Sequence, residues 1–183
     1  MKRKTLVSIA STALTMMTIA SVAYASALAA NDIIVREQTI QKTIFDSEQI
    51  ECLAKNIYHE ARSESVMGQR AVGWVTLNRV DSGEYPDTVC GVVYQSSKDK
   101  KGNPLRNKCQ FSWYCDGKDD DISDTDAWNN ALRVAEIIYE NHSNGLPFDP
   151  TEGATMYHAS YTNPYWTNNF DKTVRIDDHI FYK

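Results

Sequence analysis

Metal-ligating patterns are missing from this chain of 183 residues. Its four cysteines, Cys52, Cys90, Cys109 and Cys115, include no C-x-x-C pair, which argues against a zinc framework. No H-E-x-x-H occurs either: His59 and Glu60 are followed by Arg62, Ser63 and Glu64, with no second histidine on that stretch. Adjacent His59 and Glu60 would point about 100° apart on a helix, a poor chelate. The acidic run DGKDDDISD, 116–124, lacks the alternating oxygen ligands, the central glycine and the final glutamate of an EF-hand loop. It reads as a solvated loop. No metal and no cofactor is expected. Internal repeats and low-complexity tracts are absent as well. Positive charge is scarce: the formal net charge is −5, and only 98–108 is locally basic, so nothing favours nucleic acid.

What is present begins with an export signature. Met1-Lys2-Arg3-Lys4 is a basic start, and no charge occurs from Leu6 to Ala30. Small-x-small triplets follow at Ala23-Tyr24-Ala25, Ala25-Ser26-Ala27 and Ala27-Leu28-Ala29, each fitting a signal-peptide cleavage site. The run is long enough to span a bilayer, so residues 1–30 are a signal peptide or a signal anchor. Residues 31–45 are polar and mixed, a linker. Residues 46–183 form one domain large enough for its own core. An exported chain with an even cysteine count suggests two disulfides, with three possible pairings. Cys109 and Cys115 are close enough to close a small loop, which leaves Cys52 for Cys90.

The spacing predicts a first helix from Asp46. Asp46 suits the N-cap, Gln49 can reach back, and Phe45 with Ile50 fits a hydrophobic staple. Ile50, Leu53, Ala54, Ile57 and Ala61 then make one apolar stripe. A second helix over 69–80 is apolar on nearly all sides and therefore buried, with Gly68 marking the turn before it. A short buried element covers 89–94, and polar loops cover 96–108 and 116–124. A third helix runs over 125–141, with Asp124 as cap. Short extended pieces follow at 155–159, 173–176 and 180–182, the last two paired around Asp177-Asp178. The fold class is mainly α with a small β element (α+β).

Glu60 lies along the edge of the apolar stripe, three residues after Ile57. Desolvation there would raise its pKa, and Glu64, one helical turn further on, would push the same way. A carboxyl protonated near neutral pH can serve as a general acid. Two acids on one helix face cannot straddle a sugar bond as glycosidase pairs do, roughly 5 to 10 Å apart. Glu64 is therefore supporting, free to bond backbone or an arginine such as Arg62 or Arg70. Two aromatic–polar stretches suit carbohydrate: CQFSWYCDG, with Gln110, Ser112 and Trp113, and GATMYHASYTNPYWTNNF, with Tyr157, His158, Tyr165 and Trp166. His158 is a ligand, a second proton-transfer group or a structural hydrogen-bonding residue.

The stretch NIYHEARSESVMGQRAVGWVTLNRV resembles the signature of the SleB-like cell wall hydrolase family, a Y-x-E-A-R-x-E core followed by G-Q-x-A-V and L-N-R-V. YPDTVCGVVYQ, CQFSWYCDG, GATMYHASYTNPYW and HIFYK follow in the family's order. The resemblance implies a lysozyme-like, mainly helical domain of the lytic transglycosylase type. It implies cleavage of peptidoglycan between N-acetylmuramic acid and N-acetylglucosamine, with Glu60 as catalytic acid. It also supplies a reason for a single essential carboxyl, because the muramic acid 6-hydroxyl attacks its own anomeric carbon and no second base is needed. Ser63 stands where many members have glycine. Separate wall-binding repeats are absent from this sequence, which implies a stand-alone wall enzyme, bacterial or from a bacteriophage, exported to the periplasm or the exterior. The expected partner is the peptidoglycan glycan strand, with membrane contact only through the export segment. The alternatives are an N-acetylmuramoyl-L-alanine amidase or wall peptidase, and a non-catalytic wall-binding domain.

Overall fold

The structure is a computed structural model. It describes the backbone of residues 2–146 and 148–183, with side chains from residue 24 onward except residues 25 and 147. The export reading, resting on residues 1–30, lies largely outside the described side chains. Among the described residues no helix is long and apolar enough to cross a membrane. The chain forms two compact units, Met1–Phe45 and Asp46–Lys183. The first is helical throughout its described backbone; the site described below lies in the second.

Helix α1 is assigned over Lys2–Ala61, so no helix begins at Asp46, and residues 31–45, expected as a linker, are helical. The reason lies in composition. The first glycine of the chain is Gly68 and the first proline Pro86, so nothing punctuates the helix before Asp46. An interior Asp46 has no free backbone N–H groups to cap. Its carboxylate instead accepts from Tyr139 Oη at 3.1 Å. Gln49 Oε1 accepts from the Cys90 backbone N–H at 3.0 Å, and Phe45 is 47% exposed rather than a staple. The apolar stripe is as expected: Leu53, Ala54, Ile57 and Ala61 are all buried.

Helix α2, Val66–Ser82, is capped by Ser65, whose Oγ accepts from the Gly68 N–H at 3.2 Å. Gly68 thus sits inside the first turn of α2 and not in the connection. A Cβ there would collide with Asp177 Oδ2 and come within 2.8 Å of Glu64 Cβ. The middle of α2 is buried all round, as the composition predicts, through Ala71, Val72, Trp74, Val75 and Leu77. Helix α3, Val89–Val93, is capped by Thr88, and the Cys52–Cys90 disulfide fastens it to α1. Helix α4, Thr125–Ser143, is capped by Asp124, whose carboxylate accepts from the Ala127 N–H at 2.9 Å. Helices α1, α2 and α4 close on one another at Gly73, where an added methyl would strike Ile138 and stand 3.0 Å from Ile57. Leu53, Ile57, Leu77 and Ile138 are fully buried; each contributes roughly 1.5–3 kcal/mol.

The polar stretch 96–108 is a hairpin, not a loop. Strands β1 (Ser96–Lys98) and β2 (Pro104–Cys109) pair antiparallel. Asp99 closes the turn, its Oδ1 accepting from the N–H groups of Lys101 at 2.8 Å and Asn103 at 2.9 Å. A second sheet has the order β3-β5-β4, from Met156–Ala159, His179–Tyr182 and Lys172–Ile176, all antiparallel. Its Phe181 packs with Ala71, Val75 and Ala154. The architecture is mainly α with a small β element.

Candidate active site

The last full turn of α1 carries Glu60, and β3 brings Tyr157 against it. Tyr157 Oη donates to Glu60 Oε2 at 3.0 Å. The Tyr157 ring is wedged by Phe181 at 5.7 Å and by the His179 edge at 5.2 Å. Burial pushes the Glu60 carboxyl above its ordinary pKa, while the Tyr157 hydrogen bond and the Arg79 charge pull partly back. Glu64 plays no part in that shift. Burial, reinforced by the neighbouring carboxyl, holds the Tyr157 phenol well above its usual range, so it remains a donor.

Glu60 sits where two lobes of a cleft meet. The larger, about 530 Å³, is lined by His59, Glu60, Ser112, Trp113, Tyr157 and His158 together with the acidic 116–120 loop, Tyr161 and His179. The smaller, about 320 Å³, is lined by Glu60, Arg79, Gln110, Phe111, Ser112, Met156, Tyr157 and Trp166. Glu60, Ser112 and Tyr157 are common to both. The wall opposite α1 comes from the end of β2 and the 3₁₀ turn Ser112–Cys115, held by the Cys109–Cys115 disulfide. Both disulfides are those reached from the sequence.

Most of the sequence-nominated residues therefore converge. Tyr165 does not: it is 88% exposed and lines neither lobe. Glu64 is not one helical turn from Glu60, because α1 stops at Ala61. The chain turns at 62–65, where Ser65 donates from its N–H and Oγ to Asp177 Oδ2 at 3.0 and 2.6 Å. Glu64 Oε2 accepts from the Asp178 N–H at 3.3 Å, and its Oε1 lies 3.9 Å from His179 Nδ1. Neither Arg62 nor Arg70 pairs with it; they lie over the rings of Tyr58 and Phe148. Glu64 thus ties the β4–β5 turn to the end of α1. His158 is held by hydrogen bonds: Nδ1 is 2.9 Å from Ala159 O and Nε2 is 3.1 Å from Tyr182 Oη, with the ring stacked on Tyr182.

Four further residues shape the site: Arg79, Asn56 and His179, for which the sequence alone suggests no role, and His59, weighed there only as a metal ligand. Arg79 is buried, 3% exposed, and lines the smaller lobe. Its signal was a cation within the L-N-R-V block of a helix whose Ala71, Val72, Trp74, Val75, Leu77 and Val80 point in nearly all directions. Asn56 is fully buried and joins Trp113 Nε1 (3.1 Å) to Thr76 Oγ1 (3.2 Å), fixing the tryptophan that walls the larger lobe. His59 stacks on Trp113 at 4.4 Å and 17°; burial chiefly lowers its pKa. His179 backs Tyr157, and burial lowers its pKa too, against the opposing charges of Glu64, Asp178 and Asp177.

Such a groove, with one desolvated acid at its midpoint, can protonate a leaving oxygen of an extended ligand. Known proteins show the same build. The Spore cortex-lytic enzyme of Bacillus subtilis is 41% identical over 139 residues, covering 75% of this chain and 38% of that protein. That of Halalkalibacterium halodurans is 32% identical over 138 residues, 75% of this chain and 35% of that protein. The chain thus spans little more than a third of the length of these relatives. The crystal structure of the catalytic domain of the Bacillus cereus SleB protein superposes with a TM-score of 0.53 at 28% identity, covering 75% of this chain and 91% of that one. The catalytic domain of the germination-specific lytic transglycosylase SleB from Bacillus anthracis gives 0.53 at 28%, covering 74% and 93%. The family model described as Cell Wall Hydrolase matches residues 63–182, beginning just after Glu60 and taking in the wall opposite α1. By that match and this shared fold, the chain belongs to the Cell Wall Hydrolase family.

Proposed function

We propose that this chain cuts the glycan strand of peptidoglycan between N-acetylmuramic acid and N-acetylglucosamine, with Glu60 as general acid and then base. The observation that carries the reading is the placement of Glu60: half-shielded, with a raised pKa, at the junction of two cleft lobes. A strand lying along the groove would place one sugar in each lobe and the bond between them over the carboxyl. Glu60 first gives its proton to the leaving oxygen. The resulting carboxylate, steadied by the Tyr157 hydrogen bond and the Arg79 charge, then takes the proton of the attacking hydroxyl. In the lytic transglycosylase reading that hydroxyl is the sugar's own 6-OH, and one carboxyl suffices. The sequence similarity to spore cortex-lytic enzymes supports the substrate class, and the basic, uncharged and small-residue order of residues 1–30 supports export to the periplasm or exterior.

One observation favours a hydrolytic variant. Asp116, Asp119 and Asp120 line the same lobe as Glu60, and burial raises the Asp120 pKa, so a second carboxyl is available to activate water. Mass spectrometry of fragments released from purified wall separates the readings. Transglycosylation gives 1,6-anhydro ends and is the expected product. Ordinary reducing ends indicate hydrolysis. Free amino groups on stem peptides, with intact glycan, would replace the proposal with an amidase or peptidase; binding without soluble product would leave a wall-binding domain.

A further inference from the structure

Arg79 is a buried cation with an unusual set of partners. Nε donates to Thr155 O at 2.7 Å, and the guanidinium lies over the Tyr85 and Phe111 rings at 5.2 and 5.1 Å. Its two terminal nitrogens face Gln110. The amide orientation, assigned from the hydrogen-bond network, puts Gln110 Oε1 at 3.2 Å from both Nη1 and Nη2. The opposite orientation would set an NH2 against two donors. Gln110 is also fixed through its backbone, its N–H donating to Gln95 O at 2.8 Å, and its neighbour Cys109 is in a disulfide. A planar fork holding both lone-pair directions of one carbonyl leaves that amide no freedom to flip. Gln110 lines the smaller lobe with Glu60, and with Oε1 taken by Arg79 the polar group its side chain has left to offer is the Nε2 donor.

We propose that Arg79 sets the polarity of a sugar subsite: by turning Gln110 Oε1 inward it makes the cleft-facing end of Gln110 a donor only, and that subsite selects the acetamido carbonyl of an N-acetylated sugar over the ammonium of a de-N-acetylated one. The inference rests on the glycan-strand reading above and adds its acetylation requirement. The physical ground is asymmetric. A donor meeting a carbonyl forms a hydrogen bond, whereas a donor meeting an ammonium leaves both groups unpaired beside a buried guanidinium. Arg79 is a positioning residue here, since it acts on the sugar through Gln110.

The test measures kcat/KM on peptide-free glycan strands, fully N-acetylated and chemically N-deacetylated. Wild-type protein is expected to prefer the acetylated strand by at least ~10-fold. In Gln110→Glu one carboxylate oxygen still pairs with Arg79 and the other turns an acceptor to the cleft. The preference is then expected to shrink by ~10-fold or more, the loss on the acetylated strand exceeding any on the deacetylated one. Arg79→Lys, a point charge that cannot fork, should weaken the preference in the same direction while Gln110→Glu restates the result should the lysine variant fail to fold. An unchanged preference ratio in a folded Gln110→Glu protein would overturn the proposal. Wild type that cuts neither strand would instead sink the glycan-strand reading itself.

Discussion

The proposed chemistry rests on a carboxyl whose solvation is arranged by neighbours from three elements. Glu60 has a folded pKa above its unfolded value because burial opposes the charge. Its contribution to stability is therefore fully present below the unfolded pKa and lost as pH rises through the folded one. Glutamine is neutral at every pH and still accepts from Tyr157. Glu60→Gln should match the wild type in acid and exceed it at neutral pH by about 1 kcal/mol, a Tm gain of about 3 °C; thermal melts across pH check this. A melt gain that grew toward acid would reverse the sign. Tyr157 and Arg79 pull the other way on the same carboxyl. Removing the phenol in Tyr157→Phe should move the alkaline limb of the kcat/KM profile to higher pH, because the ionised form loses a hydrogen bond. The rate on the acid side should fall by no more than about 10-fold, since the acid itself remains. A limb displaced downward would contradict the assigned role.

At the scale of elements, the cleft is a consequence of where α1 stops. The apolar stripe up to Ala61 was legible because burial and helical period coincide there. The stop was not: the chain turns at 62–65 because Asp177, 112 residues away in sequence, accepts both Ser65 donors. No local pattern reports such a contact, and this is why Glu64 could be taken for a helical neighbour of Glu60. The β1–β2 hairpin was hidden for a related reason. Its residues are exposed along nearly its whole length, so no alternation of apolar and polar residues marks it; the turn is made by the Asp99 side chain. The helix that carries Glu60 is also tethered through Cys52–Cys90, 38 residues apart. Replacing both cysteines by serine should cost about 2–4 kcal/mol, measurable as a lower denaturant midpoint under oxidising conditions. No change there would mean the tether contributes nothing to the fold.

Taken whole, the molecule brings together residues separated by more than a hundred positions around one groove. The motif blocks nominated Glu60, Gln110, Ser112, Trp113 and Tyr157, and these residues line the two lobes of one cleft. The same blocks contain Asn56, Arg79 and His179 but assign them no role, because their roles depend on what they touch: a buried asparagine or arginine is indistinguishable in sequence from an exposed one. Tyr165 shows the converse, an aromatic in a sugar-like stretch that the fold leaves in solvent. The account stands on the reaction at position 60. The most direct test incubates purified peptidoglycan with wild-type and Glu60→Gln protein and measures both pelleted protein and released glycan fragments. The account predicts equal binding, with fragment release falling by ~100-fold or more; release at the wild-type rate from the glutamine variant would contradict it.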